Sequence, residues 1–184
     1  MQAARLMLEA EMHIDAHKYE EGVAALQQLQ KLSGRHIAAL RLELRAQQGC
    51  GNWNEVLRLV RLLEKRDAML PEATREIRLK AHRENIRLRR DDVDSLLCYL
   101  RELPAGELNP RLTRAFAEAL LPLGAADEVQ RMIEVQLEAE WDSSLLPLYA
   151  RSAGREPGAR LARAEHWLAT HSRDAQLLHA LGRL

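Results

Sequence analysis

Seven histidines, two cysteines and 27 basic against 27 acidic side chains supply the reactive chemistry of this 184-residue chain. His13 and His17 stand four residues apart with Glu9 one turn earlier, so a helix through them would present all three on one face. Zinc favours histidines at that spacing, but it also needs a supported ligand set. No His-Glu-x-x-His is present, and a helix end that merely carries histidine on its surface is the commoner meaning of such a pair. His166, His171 and His179 cluster toward the C-terminus, where they would either gather around a metal ion or occupy ordinary turn and surface positions. Cys50 and Cys98 form no metal-ligand or redox motif. Cys98, in Leu96-Leu97-Cys98-Tyr99-Leu100, is expected to be buried as a small hydrophobe. Cys50, between two glycines, is expected to be exposed. There is no Gly-rich phosphate loop, nucleophile elbow or paired-carboxylate motif. No catalytic residue, metal site or cofactor is assigned, and the chain reads as a non-enzyme.

Charge narrows the partners. The formal net charge is zero and the pI is near 7.1, without the basic excess of a dedicated nucleic-acid binder. One local concentration stands out: Arg75, Arg78, Lys80, Arg83, Arg87, Arg89 and Arg90 against Glu76 and Glu84. On a long helix this makes a basic ridge. It would face anionic headgroups or nucleic acid, or it is a solvated face partly paired at i, i+4, as in Glu76–Lys80.

The elements that position these side chains read as helices. Hydrophobic residues make up 47% and aromatics only 4%; Leu, Ala, Arg and Glu dominate, all good helix formers. The pattern predicts helices at 2–16, 19–32, 35–49, 52–65, 71–90, 92–103, 109–123, 125–140, 143–152, 157–170 and 174–184. Glycines end them and prolines open them, as at Ser33-Gly34, Leu70-Pro71 and Asn109-Pro110. Asn52 and Asn109 are candidate N-caps. Asp91-Asp92 either starts a helix or breaks one. Pro122 and Pro147 fall inside helical patterns and would kink or end them. Short links between helices of similar length make antiparallel pairs. No window reaches the length of a membrane span, and the N-terminus is not a signal peptide.

The strongest organising signal is repetition. Tyr19 and Trp53 are separated by the tetratricopeptide period of about 34 residues. The same offset matches Leu6 with Leu40, Leu8 with Leu42, Glu9 with Glu43, Leu26 with Val60 and Leu29 with Leu63. One such unit cannot bury its apolar face alone, so neighbours must stack. The expected fold is a single all-α domain over 1–184, a right-handed α-solenoid of about five tetratricopeptide-like hairpins. Glu9 and Glu43 sit where a tighter consensus is apolar. The last segment resembles an unpaired first helix, so the chain is expected to be a piece of a longer protein, or its last helix docks elsewhere.

The C-terminal half adds a more specific likeness. Glu140-Trp141-Asp142-Ser143-Ser144-Leu145-Leu146-Pro147-Leu148-Tyr149 is followed by Ala164-Glu165-His166-Trp167-Leu168-Ala169-Thr170-His171. Then comes Leu177-Leu178-His179-Ala180-Leu181-Gly182-Arg183-Leu184. These segments resemble the tetratricopeptide region of the proteobacterial HemY proteins, with Ser172 where proline is usual. The likeness covers most of the chain and is least diagnostic over 71–110. It implies an inner-membrane protein with two N-terminal membrane helices that this chain lacks, its repeats on the cytoplasmic side. It also implies an association with late haem biosynthesis without catalytic chemistry of its own.

Two roles follow from the likeness. The first is a protein–protein scaffold for late haem-pathway enzymes, binding in the concave groove that first helices line. The repeat register places Glu11, Asp15, Arg41 and Arg45 toward that groove. The alternative is a tetrapyrrole carrier with His166, His171 or His179 as axial ligand. The single Phe weighs against it.

Overall fold

A computed structural model describes residues 2–34, 36–104, 106–152, 154 and 157–184. Helix makes up 79% of the described residues, and no strand is found among them. Eleven α-helices are described: α1 (Gln2–Asp15), α2 (Tyr19–Ser33), α3 (Ile37–Cys50), α4 (Trp53–Glu64), α5 (Pro71–Leu88), α6 (Val93–Glu102), α7 (Pro110–Leu120), α8 (Ala126–Ala139), α9 (Leu146–Arg151), α10 (Pro157–Thr170) and α11 (Ala175–Leu181). The helices pack as two compact units, Met1–Asn85 and Ile86–Leu184, with the division falling inside α5.

In the first unit α1 packs on α2, α2 on α3 and α3 on α4, and α1 also touches α3. One apolar cluster joins Leu6, Ala10 and Ile14 of α1 to Ala25, Leu26 and Leu29 of α2 and to Ala39 and Ala46 of α3. A second joins Leu40 and Leu44 to Val56, Leu59, Val60 and Leu63 of α4, with Ala81 of α5. Burial repeats at the sequence offset: Leu6 and Leu40, Leu26 and Val60, Leu29 and Leu63 are all buried. Each of these six side chains contributes on the order of 1.5–3 kcal/mol by leaving water.

Two glycines set how closely these helices approach. A Cβ on Gly22 would come within 2.9 Å of Ile14 Cγ1, so its absence lets α2 sit on α1. A Cβ on Gly49 would overlap the Tyr19 ring, which packs on the bare backbone of α3. Glu43, at a position that a tighter repeat would fill with an apolar residue, is only 5% exposed. Gln30 Nε2 of α2 donates to its Oε2 at 2.6 Å, and Arg58 Nη2 of α4 lies 3.9 Å from Oε1. A buried carboxylate so partnered ties three helices together. Its repeat mate Glu9 is exposed.

In the second unit α6 packs on α7, α7 on α8 and α9, and α11 on both α9 and α10. Its helix starts follow side-chain chemistry. Asp92 accepts from the backbone N–H groups of Asp94 and Ser95 and so starts α6. Asn109 caps α7 through Leu112 N–H, with Pro110 behind it. In the first unit Asn52 differs from expectation: it makes no side-chain cap, and its Nδ2 donates back to Gln47 Oε1 at 2.8 Å. Pro122 ends α7 in a 3-10 turn, Leu121–Leu123, which Gly124 closes in the left-handed region. The expected helix over 143–152 splits into a 3-10 turn, Ser143–Leu145, and α9, with Pro147 in the first turn of α9. Arg155 and Glu156, within the expected Gly154–Gly158 break, lie outside the described residues. No helix among the described residues is long and apolar enough to cross a membrane.

Candidate protein-binding surface

The four residues expected on the first-helix face lie on α1 and α3, which touch each other. Asp15 and Arg45 are brought together across the two helices, with Oδ1 to Nη2 at 3.0 Å. Both are more than half exposed. Glu11 is exposed one turn before Asp15. Arg41 is exposed one turn before Arg45, and its Nη2 donates to the Ala68 carbonyl in the link that leads to α5. The result is a charged strip: carboxylates on α1 beside guanidiniums on α3, with an ion pair between them. Ala68 as the partner of Arg41 carried no sequence signal, because it offers only a backbone oxygen, far along the chain.

The other candidates take different places. α1 ends at Asp15, and His17 adopts a left-handed φ of 58°. Its ring turns to Tyr19, with Nδ1 2.7 Å from the phenol oxygen. Glu9, His13 and His17 therefore do not share a helical face, because the helix stops before His17. Among the described residues no group of three His, Cys, Asp or Glu side chains is placed to hold a metal ion. His166 and His179 are exposed on α10 and α11. His171 is stacked on Trp141, with ring centroids 3.7 Å apart and planes within 7°.

That stack belongs to an aromatic cluster built from the segments that carry the HemY likeness. Trp141 meets Trp167 edge-on at 5.8 Å, and Trp167 meets Tyr149 at 5.1 Å. Tyr149 is fully buried and donates to Glu134 Oε1 of α8 at 2.8 Å. Burial, then the hydrogen bond and charge of Glu134, push its phenol well above the ordinary tyrosine value. Trp141 Nε1 donates to Asp174 Oδ2 at 3.1 Å, while Asp174 Oδ1 caps α11 through Gln176 and Leu177 N–H. Partial burial raises the Asp174 pKa. The hydrogen bonds from Trp141, Leu177 and Gln176, with the nearby His171, outweigh it and leave the carboxyl below its usual value. These contacts hold α8, α9, α10 and α11 together, which gives the aromatic motif a packing role. The Trp141–Asp174 pair is remote in sequence and had no local signal there.

Both cysteines correct the expectation. Cys98 is exposed, its Sγ 3.5 Å from Glu102 Oε1. Leu96 faces the core, and a residue two positions on points to the opposite side of a helix. Cys50 is partly buried, and burial, then the charge of Glu20, pushes its thiol up and away from thiolate chemistry. The basic ridge of α5 is partly engaged: Arg78 pairs with Glu64 at 3.0 Å, and Lys80 lies over the Trp53 ring at 5.6 Å.

No protein-family model, curated protein or solved structure matches this chain.

Proposed function

We propose that this chain is a non-catalytic scaffold, a right-handed α-solenoid of tetratricopeptide-like hairpins that binds a segment of a partner protein. The setting we propose is the one the HemY likeness implies, with late haem-pathway enzymes as partners of a membrane-anchored parent protein. The observation that supports the repeat reading is the return of the same burial, one repeat period on, between α1–α2 and α3–α4. Stacked hairpins of this kind leave a run of first helices to meet a ligand. Glu11 and Asp15 on α1 and Arg41 and Arg45 on α3 supply charge of both signs on that run. The Asp15–Arg45 pair is exposed, and such pairs are worth under about 1 kcal/mol. A partner's own charges would therefore replace it at little cost, and charge of both signs suits selection among partners.

The test is affinity capture of the native, membrane-anchored protein from membranes, with mass spectrometry of what co-purifies. The control carries Arg41→Glu and Arg45→Glu. Late haem-pathway enzymes retained by the native protein and lost by the variant are the expected result. If none co-purifies at any salt concentration, the scaffold reading fails.

A further inference from the structure

The outward face of α1 carries Arg5, Leu8, Met12 and Asp15. At 3.6 residues per turn these four span about 80° of the helix circumference, opposite the buried Leu6, Ala10 and Ile14. Leu8 is 58% exposed and Met12 65%. Two large apolar side chains at i, i+4 on one exposed stripe make a continuous step, not scattered single contacts.

The stripe has a counterpart inside the unit. One repeat period further on, the same four positions are Ala39, Leu42, Ala46 and Gly49 of α3. Ala39 and Ala46 are fully buried in the cluster with α1 and α2, Leu42 packs against that cluster, and Gly49 lies under Tyr19. On α3, then, this stripe is where other helices sit. On α1 it is exposed, and its ends carry opposite charges in place of small residues.

Those charges identify an occupant. The spacings from Arg5 to Leu8, Met12 and Asp15 are three, four and three, symmetric about residue 10. An antiparallel second copy of α1 places Arg5 against Asp15 of that copy and Leu8 against its Met12, and the two-fold axis repeats both contacts. A parallel copy would set like charges against each other. We infer that α1 is a homodimer interface on which a second copy of this chain docks antiparallel, stripe against stripe. Arg45 holds Asp15 through Oδ1, which leaves Oδ2 to accept from Arg5 of the second copy. Such symmetric pairing of one patch with itself is the isologous contact of a closed dimer. A single helical stripe is small beside a standard interface, so the dimer is weak, with a Kd of order 10–100 μM.

Sedimentation velocity at low salt over roughly 5–500 μM tests this range. The wild-type chain is expected to pass from monomer to dimer, and Leu8→Glu to remain monomeric with an unchanged far-UV circular dichroism spectrum. Arg5→Asp and Asp15→Arg should each be monomeric alone, since each sets like charges across the axis. Mixed one to one, they should restore the dimer, because both cross-axis pairs are then of opposite sign. A wild-type chain that stays monomeric throughout overturns the inference. So do charge variants that self-associate like wild type, or a mixture that fails to pair.

Discussion

Three side chains carry their share of stability through identifiable partners. Asp174 caps α11 and receives Trp141 Nε1. Loss of such a cap costs about 1 kcal/mol, so Asp174→Ala should lower the urea midpoint accordingly, and Asp174→Asn should recover most of it. Because the folded-state pKa of Asp174 is depressed, its contribution is present above the ordinary carboxylate value. It is lost as pH falls through the folded value. Tryptophan fluorescence followed during acidification should report that loss in wild type and show it diminished in Asp174→Asn. Tyr149 works in the opposite direction. Its raised pKa means the folded protein keeps the phenolic proton while the unfolded chain releases it near the ordinary value, so stability declines as pH rises above that value. Alkaline titration followed by ultraviolet absorbance should show a late tyrosinate component that Tyr149→Phe removes. Glu43 is the third. Glu43→Ala strands Gln30 Nε2 and loosens Arg58, with an expected cost of about 1–3 kcal/mol in denaturant unfolding.

At the scale of elements, the hairpins depend on how near their helices come. Gly49 lies inside α3, where alanine would ordinarily improve helix stability by up to about 1 kcal/mol. Here the added methyl would overlap the Tyr19 ring at its base, which cannot swing aside without moving α2. Gly49→Ala is therefore expected to destabilise by about 1–3 kcal/mol, and Gly49→Ala with Tyr19→Ala to recover part of that in a double-mutant cycle. A stabilised single variant would sink this account of the α2–α3 contact. Element positions were largely legible in the sequence, since all eleven expected helices are present with ends shifted by a few residues. The departures have local causes. Pro122 cannot donate to the previous turn and lies in the 3-10 turn that ends α7, while Pro147 takes the first turn of α9, where no such donor is needed, so the α-helix starts at Leu146. Asn52 turns its Nδ2 to Gln47 Oε1, and its side-chain oxygen does not accept from the backbone N–H groups it was expected to cap.

For the whole molecule, the proposed function together with zero net charge and an exposed strip of both signs calls for recognition by local charge and not by a long-range field. Under the proposed function, partner capture should weaken as salt rises from about 50 to 500 mM, because exposed pairs are screened over a few ångströms at the upper end. Capture indifferent to salt, yet lost in the Arg41→Glu and Arg45→Glu variant, would move the energetic weight from charge to apolar contact. Each compact unit has its own buried core, built from contacts between neighbouring and next-neighbouring helices. That locality favours rapid folding, on the microsecond-to-millisecond scale of helical proteins, which stopped-flow fluorescence can check through Trp53, Trp141 and Trp167.

The sequence by itself determined that the chain is helical, where its helices lie to within a few residues, and which positions recur at the repeat period. Propensity, capping and periodicity act within a few turns, so a local pattern carries them. Only the tertiary structure decided which side chains meet. It paired Asp15 with Arg45 and sent Arg41 to a backbone carbonyl. It buried Glu43, exposed Cys98, stacked His171 on Trp141 and left Leu8 and Met12 open while covering Leu42 and Ala46. Equivalent repeat positions differ in this way because burial depends on which helix lies alongside, and a residue carries no local record of a neighbour distant in the chain.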